Sequence, residues 1–110
     1  MDRNLEQQLF TKYPKIFHLR DIDTPNGWYD LLDSLCLFLQ KDTDICKKPQ
    51  VEIIQIKNKF GRLRIYYNTT GEPTIEERAS INAAIDFAEW HSSRICCICG
   101  ISNCRSCKHD

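Results

Sequence analysis

The sequence has no long apolar run, little glycine and no excess of either charge. Its apolar stretches fall far short of the about 20 residues that a membrane-spanning helix needs. The first ten residues, MDRNLEQQLF, hold no apolar core and no small-residue cleavage site, so no secretory signal is read there. A soluble, intracellular protein is expected. Lysine plus arginine number 15 and aspartate plus glutamate 15, which weakens any general affinity for nucleic acid. None of the four glycines lies in a phosphate-cradling loop, and there is neither a nucleophile elbow nor an HExxH helix. His18, His91 and His109 are isolated along the chain, and Asp21, Asp23, Asp30 and Asp33 read as solvated acids. No catalytic kit is left, so a non-enzymatic protein is expected. Internal repeats and low-complexity segments are also missing.

What is present suits one small globular domain: 110 residues, of which 42% are hydrophobic. Residues 3–12 pattern as a short amphipathic helix with Leu5 and Leu9 one turn apart, ended by Pro14. Residues 13–23 read as an irregular connector anchored by Ile16, Phe17 and Leu19. The stretch TPNGWYDLLDSLCLFLQ predicts a helix capped by Thr24, with Pro25 in its first turn. Trp28, Leu31, Leu32, Leu35 and Leu39 form one face, widened by Cys36 and Phe38. Cys36 reads as a small core residue. Residues 41–50 are polar, end in Pro49 and read as a loop.

VEIIQIKNKFGRLRIYYN is rich in β-branched and aromatic residues and predicts a hairpin with its tip at Lys59–Phe60–Gly61. Alternation puts Leu63, Ile65 and Tyr67 on one face and Arg62, Arg64 and Tyr66 on the other. A last helix starts at Thr74, which makes a capping-box pair with Glu77. Ile81, Ala84, Ile85 and Ala88 line its inner face, with Phe87 and Trp90 alongside, and it fades near 91–93. The expected fold class is α+β in two layers: helices packed on a small antiparallel hairpin, followed by a zinc-finger-like cysteine cluster. The chain is read as a single domain, 1–110, with an α+β body over 1–93 and a zinc-binding tail over 94–110.

Five of the seven cysteines crowd into CCICGISNCRSC, residues 96–107. With no export signal read, a disulfide framework is not expected. Cys96 and Cys99 form one C-x2-C pair, Cys104 and Cys107 a second. Two such pairs offer the four thiolates of a closed structural zinc site, and Gly100 lets the backbone turn so that amides face the sulfurs. The short spacer GISN leaves His109 open as an alternative to Cys107. An iron–sulfur cluster uses the same thiolates, but structural zinc is the expectation. Cys97 reads as the spare thiol, and Cys46 and His91 as outsiders. Four thiolates leave no coordination position for water, so the metal is expected to clamp rather than catalyse.

Residues 51–70 carry Lys57, Lys59, Arg62 and Arg64 against Glu52 alone, and residues 71–92 carry five acids against Arg78. Lys57, Lys59, Arg62, Arg64 and Tyr66 are therefore candidates for a partner-binding face, since guanidinium forks and an aromatic ring suit phosphates and bases. The plainer alternative is a solvated face with Phe60 tucked into the core.

Three segments together resemble a family of small phage and prophage proteins of no assigned activity. They are Gly27-Trp28 with Leu31-Leu32-Asp33 and Leu35-Cys36, then Lys57 to Tyr67 in the pattern KxKFGxLRxYY, then Cys96 to Gly100. The likeness spans about residues 26–107 and is most specific in the hairpin. It implies a phage or prophage origin, hence the host bacterial cytoplasm, and a zinc finger. In that family the last metal pair tends to be Cys and His, which keeps His109 open. Two functions are then expected in order. The first is a zinc-bound inhibitor that occupies a host protein or other macromolecule, such as an anti-defence factor. The second is a nucleic-acid or nucleotide binder using the basic hairpin with Arg94, Arg105 and Lys108. Self-association is left open.

Overall fold

The computed structural model describes residues 1–102 together with Cys104 and Cys107. The order of elements is α1 (Arg3–Lys12), a 3-10 turn (Asn26–Trp28), α2 (Tyr29–Cys46), β1 (Val51–Lys59), β2 (Arg62–Thr69) and α3 (Ile75–Ser92). Three helices pack on a two-stranded antiparallel sheet, the α+β arrangement expected. One buried cluster joins them, running from Leu9 through Trp28, Leu32, Ile53, Ile56, Leu63, Ile81 and Ile85 to Cys97. No helix among the described residues is long and apolar enough to cross a membrane.

Strand β1 carries a bulge. Ile53 faces Tyr67 while Gln55 faces Tyr66, so Ile54 is an extra residue without a cross-strand partner. The bulge brings Val51, Ile53 and Ile56 onto the buried side although their spacing is not alternate, and leaves Ile54 exposed. Beyond it, alternation places Gln55, Lys57 and Lys59 on the same outer face as Arg62, Arg64 and Tyr66.

Both edges of this small sheet are covered. Along β1 the connector runs parallel: Ile53 N donates to Ile16 O (2.6 Å), His18 N to Ile53 O (3.0 Å), Asp23 N to Ile56 O (3.1 Å) and Asn58 N to Asp23 O (3.0 Å). Along β2 the cover comes from side chains of α3. Leu63 N donates to Ser92 Oγ and Ile65 N to Glu89 Oε2, each at 2.9 Å. A two-stranded sheet is marginal alone, and these bonds complete it. Buried Glu6 of α1 likewise accepts from Ile22 N at 2.6 Å.

Three local expectations need correction. Thr24 does not cap α2: its Oγ1 donates to Pro25 O, and the helix is entered through the 3-10 turn. The amide of Gly27 donates instead to Cys97 O at 2.7 Å, so the tail takes the place of a side-chain cap. Residues 41–46 are helical, not loop. A Gln40–Asp44 bond at 2.9 Å supports the added turn, and Lys47, at φ +56°, ends it in the left-handed region. Phe38 lies outside the buried face of α2, half exposed. By contrast, Thr74 and Glu77 form the complete capping box on α3.

Candidate functional site

The tail leaves α3 at Ser92 and folds back on itself. Ile95 bridges Ser102 in antiparallel fashion, Cys96 N donates to Ile101 O (3.1 Å) and Gly100 N to Cys96 O (2.8 Å). Gly100 sits at φ +80°, a conformation that side chains disfavour. A β-carbon there would also meet Gly27 O at 2.9 Å. This tight knuckle brings the sulfurs of Cys96, Cys99, Cys104 and Cys107 within 4.8 Å of one another. A tetrahedron of thiolates at about 2.3 Å from zinc has sulfurs about 3.8 Å apart, so the four can close on one metal ion. Cys99 and Cys104 are 3.5 Å apart at sulfur, too far for a disulfide.

The protons of the cluster fit that chemistry. Burial opposes ionisation of Cys96, but backbone amides of Cys99 and Ile98 outweigh it and lower the thiol below its ordinary range. Cys107 is pushed up to about 12 by hydrogen bonds with Cys104 and Cys99 and by burial. Several thiolates at this separation repel one another; a cation among them removes the conflict. His109, Arg105 and Lys108 lie outside the described residues.

Cys97 is not part of the cluster. It is left out of the four, as the spacing suggests, and its side chain is buried in the core of the body, which adds a packing role. Cys36 is buried as expected. Cys46 is exposed at the end of α2, and His91 stacks on Phe87 with centroids 5.9 Å apart; neither joins the four thiols.

The knuckle is seated on the body through Gly27 and Trp28. A β-carbon on Gly27 would lie 2.2 Å from Cys96 O and 2.6 Å from Cys97 O. Trp28, fully buried, donates from Nε1 to Ile95 O at 3.3 Å. The glycine–tryptophan pair is thus the socket for the tail, a role that no local pattern reveals. A cleft of about 300 Å3 lies between the knuckle and the hairpin tip, lined by Gly61, Arg94, Cys96 and Cys104 among others.

The outer face of the hairpin carries the other candidates. Lys57 is directly opposite Arg64, and Lys59 opposite Arg62. Like charges in such positions destabilise a hairpin. Among the described residues none of the four has a carboxylate partner. Lys57 Nζ lies 5.6 Å from the centre of the Tyr66 ring. The Nε of Arg62 is buried and finds no acceptor. Phe60 does not tuck into the core: it is 92% exposed at the tip. Arg94 stacks on Trp90 at 4.9 Å.

Of the carboxylates considered from sequence, Asp21, Asp23 and Asp30 are exposed, as expected of solvated acids, and Asp33 is engaged. Asp33 accepts from Tyr13 Oη at 2.6 Å and pairs with Lys12 at 3.3 Å. A further feature was not foreseen: an apolar groove of about 500 Å3 between α2 and α3, bounded by Leu31, Phe38, Ala84 and Phe87.

An α+β domain with a four-cysteine cluster able to hold a metal ion is what fold and site define. No protein family, curated protein or solved structure matches the chain.

Proposed function

We propose that this protein is a non-enzymatic, zinc-clamped binding module that occupies an anionic macromolecule through its basic ribbon, nucleic acid being the partner this face fits. The observation that carries the reading is the pair of like-charge rungs, Lys57–Arg64 and Lys59–Arg62, with no acid paired to them among the described residues. Such rungs cost folding stability and gain a purpose when phosphates lie across them. Zinc is the metal that four clustered thiolates fit, and its closed shell makes the knuckle a support for the ribbon rather than a reaction centre.

The test is fluorescence anisotropy with a labelled oligonucleotide over a range of salt. Four phosphate contacts on a single strand give a log–log slope of about −3. Arg62→Ala with Arg64→Ala is expected to weaken binding by about tenfold or more and to halve that slope. Unchanged affinity in the double variant removes the ribbon from the reading.

The groove between α2 and α3 favours a second reading, a protein partner. Given the resemblance to phage proteins, that partner would be a host component, and the protein an inhibitor of bacterial defence in the host cytoplasm. Exposed Phe38 and Phe87 flank the groove as aromatic anchors would. Here Phe38→Glu with Phe87→Glu abolishes capture of one defined host protein, while the arginine variants leave it intact.

A further inference from the structure

We infer that Phe60 is a base-stacking residue that makes the ribbon selective for single-stranded over duplex nucleic acid. The inference rests on the proposed reading of the ribbon and adds the class of strand it takes. Phe60 and Gly61 form the two-residue loop between Lys59 and Arg62, at φ +57° and +81°. Both positions of such a turn need positive φ, which asparagine and glycine supply easily. A bulky residue there is a true outlier. This sequence places phenylalanine in the strained position and leaves its ring 92% exposed. Neither folding nor solubility gains from that choice, and backbone outliers of this kind gather where a ligand is held.

The surroundings indicate what covers the ring. The residues next to the loop are Lys59 and Arg62, and the next outward rung is Lys57 and Arg64, cations without carboxylate partners among the described residues. A ring at the end of a cationic track fits a chain whose phosphates follow the track and whose base lies on the ring. Base–aromatic stacking of this kind tolerates any base. In a duplex the base faces are already stacked on one another, and one ring at a tight tip cannot reach them without unstacking a step. In a single strand they are free. The tip is also held in place: Asn58 Oδ1 accepts from Gly61 N at 2.9 Å, and Gly61 borders the cleft against the knuckle.

The experiment uses the full chain with its metal. Anisotropy is measured for one oligonucleotide of about 20 nucleotides as a single strand and as a duplex, a length that exceeds a single stacking site. Phe60→Ala is expected to weaken single-strand binding roughly 5- to 150-fold and to leave the duplex unaffected. Phe60→Trp retains binding, and its added fluorescence is quenched by the single strand. Phe60→Asn separates binding from folding, because it relieves the turn and raises the unfolding temperature by roughly 2–6 °C while losing single-strand affinity like the alanine variant. Equal losses on both strands, or none on the single strand while Arg62→Ala with Arg64→Ala abolishes binding, overturn the inference and leave the ribbon reading standing. Wild-type protein that binds neither strand overturns both. Binding confined to phosphatidylserine vesicles, and sensitive to Phe60→Ala, overturns it in favour of a lipid surface.

Discussion

Residue surroundings sort the seven cysteines into three kinds: the four of the cluster, Cys36 and Cys97 in the core, and Cys46 at an exposed helix end. Cys36 has a measurable consequence. Burial, then the charge of nearby Asp33, raises its thiol above the ordinary value of 9.0. Tyr13, buried and bonded to Asp33, is raised above 10.0 in the same way. For both groups the folded state holds the proton more tightly than the unfolded chain. The stability this gives is complete below the unfolded value and is lost as pH rises above it. Urea unfolding midpoints are therefore expected to fall from about pH 9 upward, by about 1.4 kcal/mol of stability per pH unit for Cys36. Cys36→Val shrinks the loss that starts near pH 9, and Tyr13→Phe the further loss that starts near pH 10. A Cys36→Val profile that overlays the wild type would show that this thiol does not titrate with unfolding. The cluster itself was legible in the sequence, because C-x2-C spacing and the following glycine are local signals. The socket was not: Gly27 matters because of a carbonyl about seventy positions away, and Cys97 looks like its neighbours until the core closes over it.

Elements with a strong local pattern were read correctly, and the departures occur where distant parts of the chain intervene. The capping box fixes the start of α3 within four residues. The hairpin follows from β-branched runs around a glycine. The entry to α2 departs from its local pattern because a tail carbonyl, not Thr24, engages the amide of Gly27 there. The bulge at Ile54 is not legible in the sequence because four apolar residues in a run of six do not reveal which one faces out. The edge cover of β2 also depends on distance. Glu89 and Ser92 continue the inner face of Ile81, Ile85 and Ala88 with polar side chains; both are buried, and their oxygens receive amides of β2. Removing such an acceptor leaves a buried donor unpaired. Glu89→Ala is expected to destabilise by about 1–3 kcal/mol, while Glu89→Gln, which keeps a carbonyl oxygen, costs less. Hydrogen exchange decides whether this bond is responsible: the amide of Ile65 should lose protection in Glu89→Ala at conditions where the amides of α2 keep theirs. Equal protection at Ile65 in variant and wild type would rule the bond out as the cause of any destabilisation.

At the scale of the molecule, the question is how far the influence of a metal ion held by the four thiols would extend. A structural zinc contributes roughly 10–16 kcal/mol to the folding of a small peptide, and a whole domain has about 5–15 kcal/mol of net stability. A zinc ion held by the four thiols, as proposed, would therefore tie to the knuckle an energy comparable to the net stability of the whole domain. Three contacts carry that energy inward: Gly27 N to Cys97 O, Trp28 Nε1 to Ile95 O, and the packing of Cys97 in the core. The body has its own support in the edge bonds of the sheet and the faces of α2 and α3, so loss of metal should loosen rather than erase it. Chelation at neutral pH is then expected to leave most of the far-ultraviolet helix signal. It should lower the unfolding temperature by about 10 °C or more, the equivalent of roughly 2 kcal/mol in a domain of this size. It should also shift the fluorescence of Trp28, read in a Trp90→Phe background because Trp90 is half exposed. Gly27→Ala should reproduce the Trp28 shift with metal present, since its added carbon collides with the carbonyls of Cys96 and Cys97. If chelation moves the cluster's absorbance in a cobalt-loaded sample but leaves Trp28 and the unfolding temperature unchanged, the finger is an appendage and its coupling to the core is wrong. If the helix signal collapses together with the metal, the body has no stability of its own and the clamp holds the entire fold.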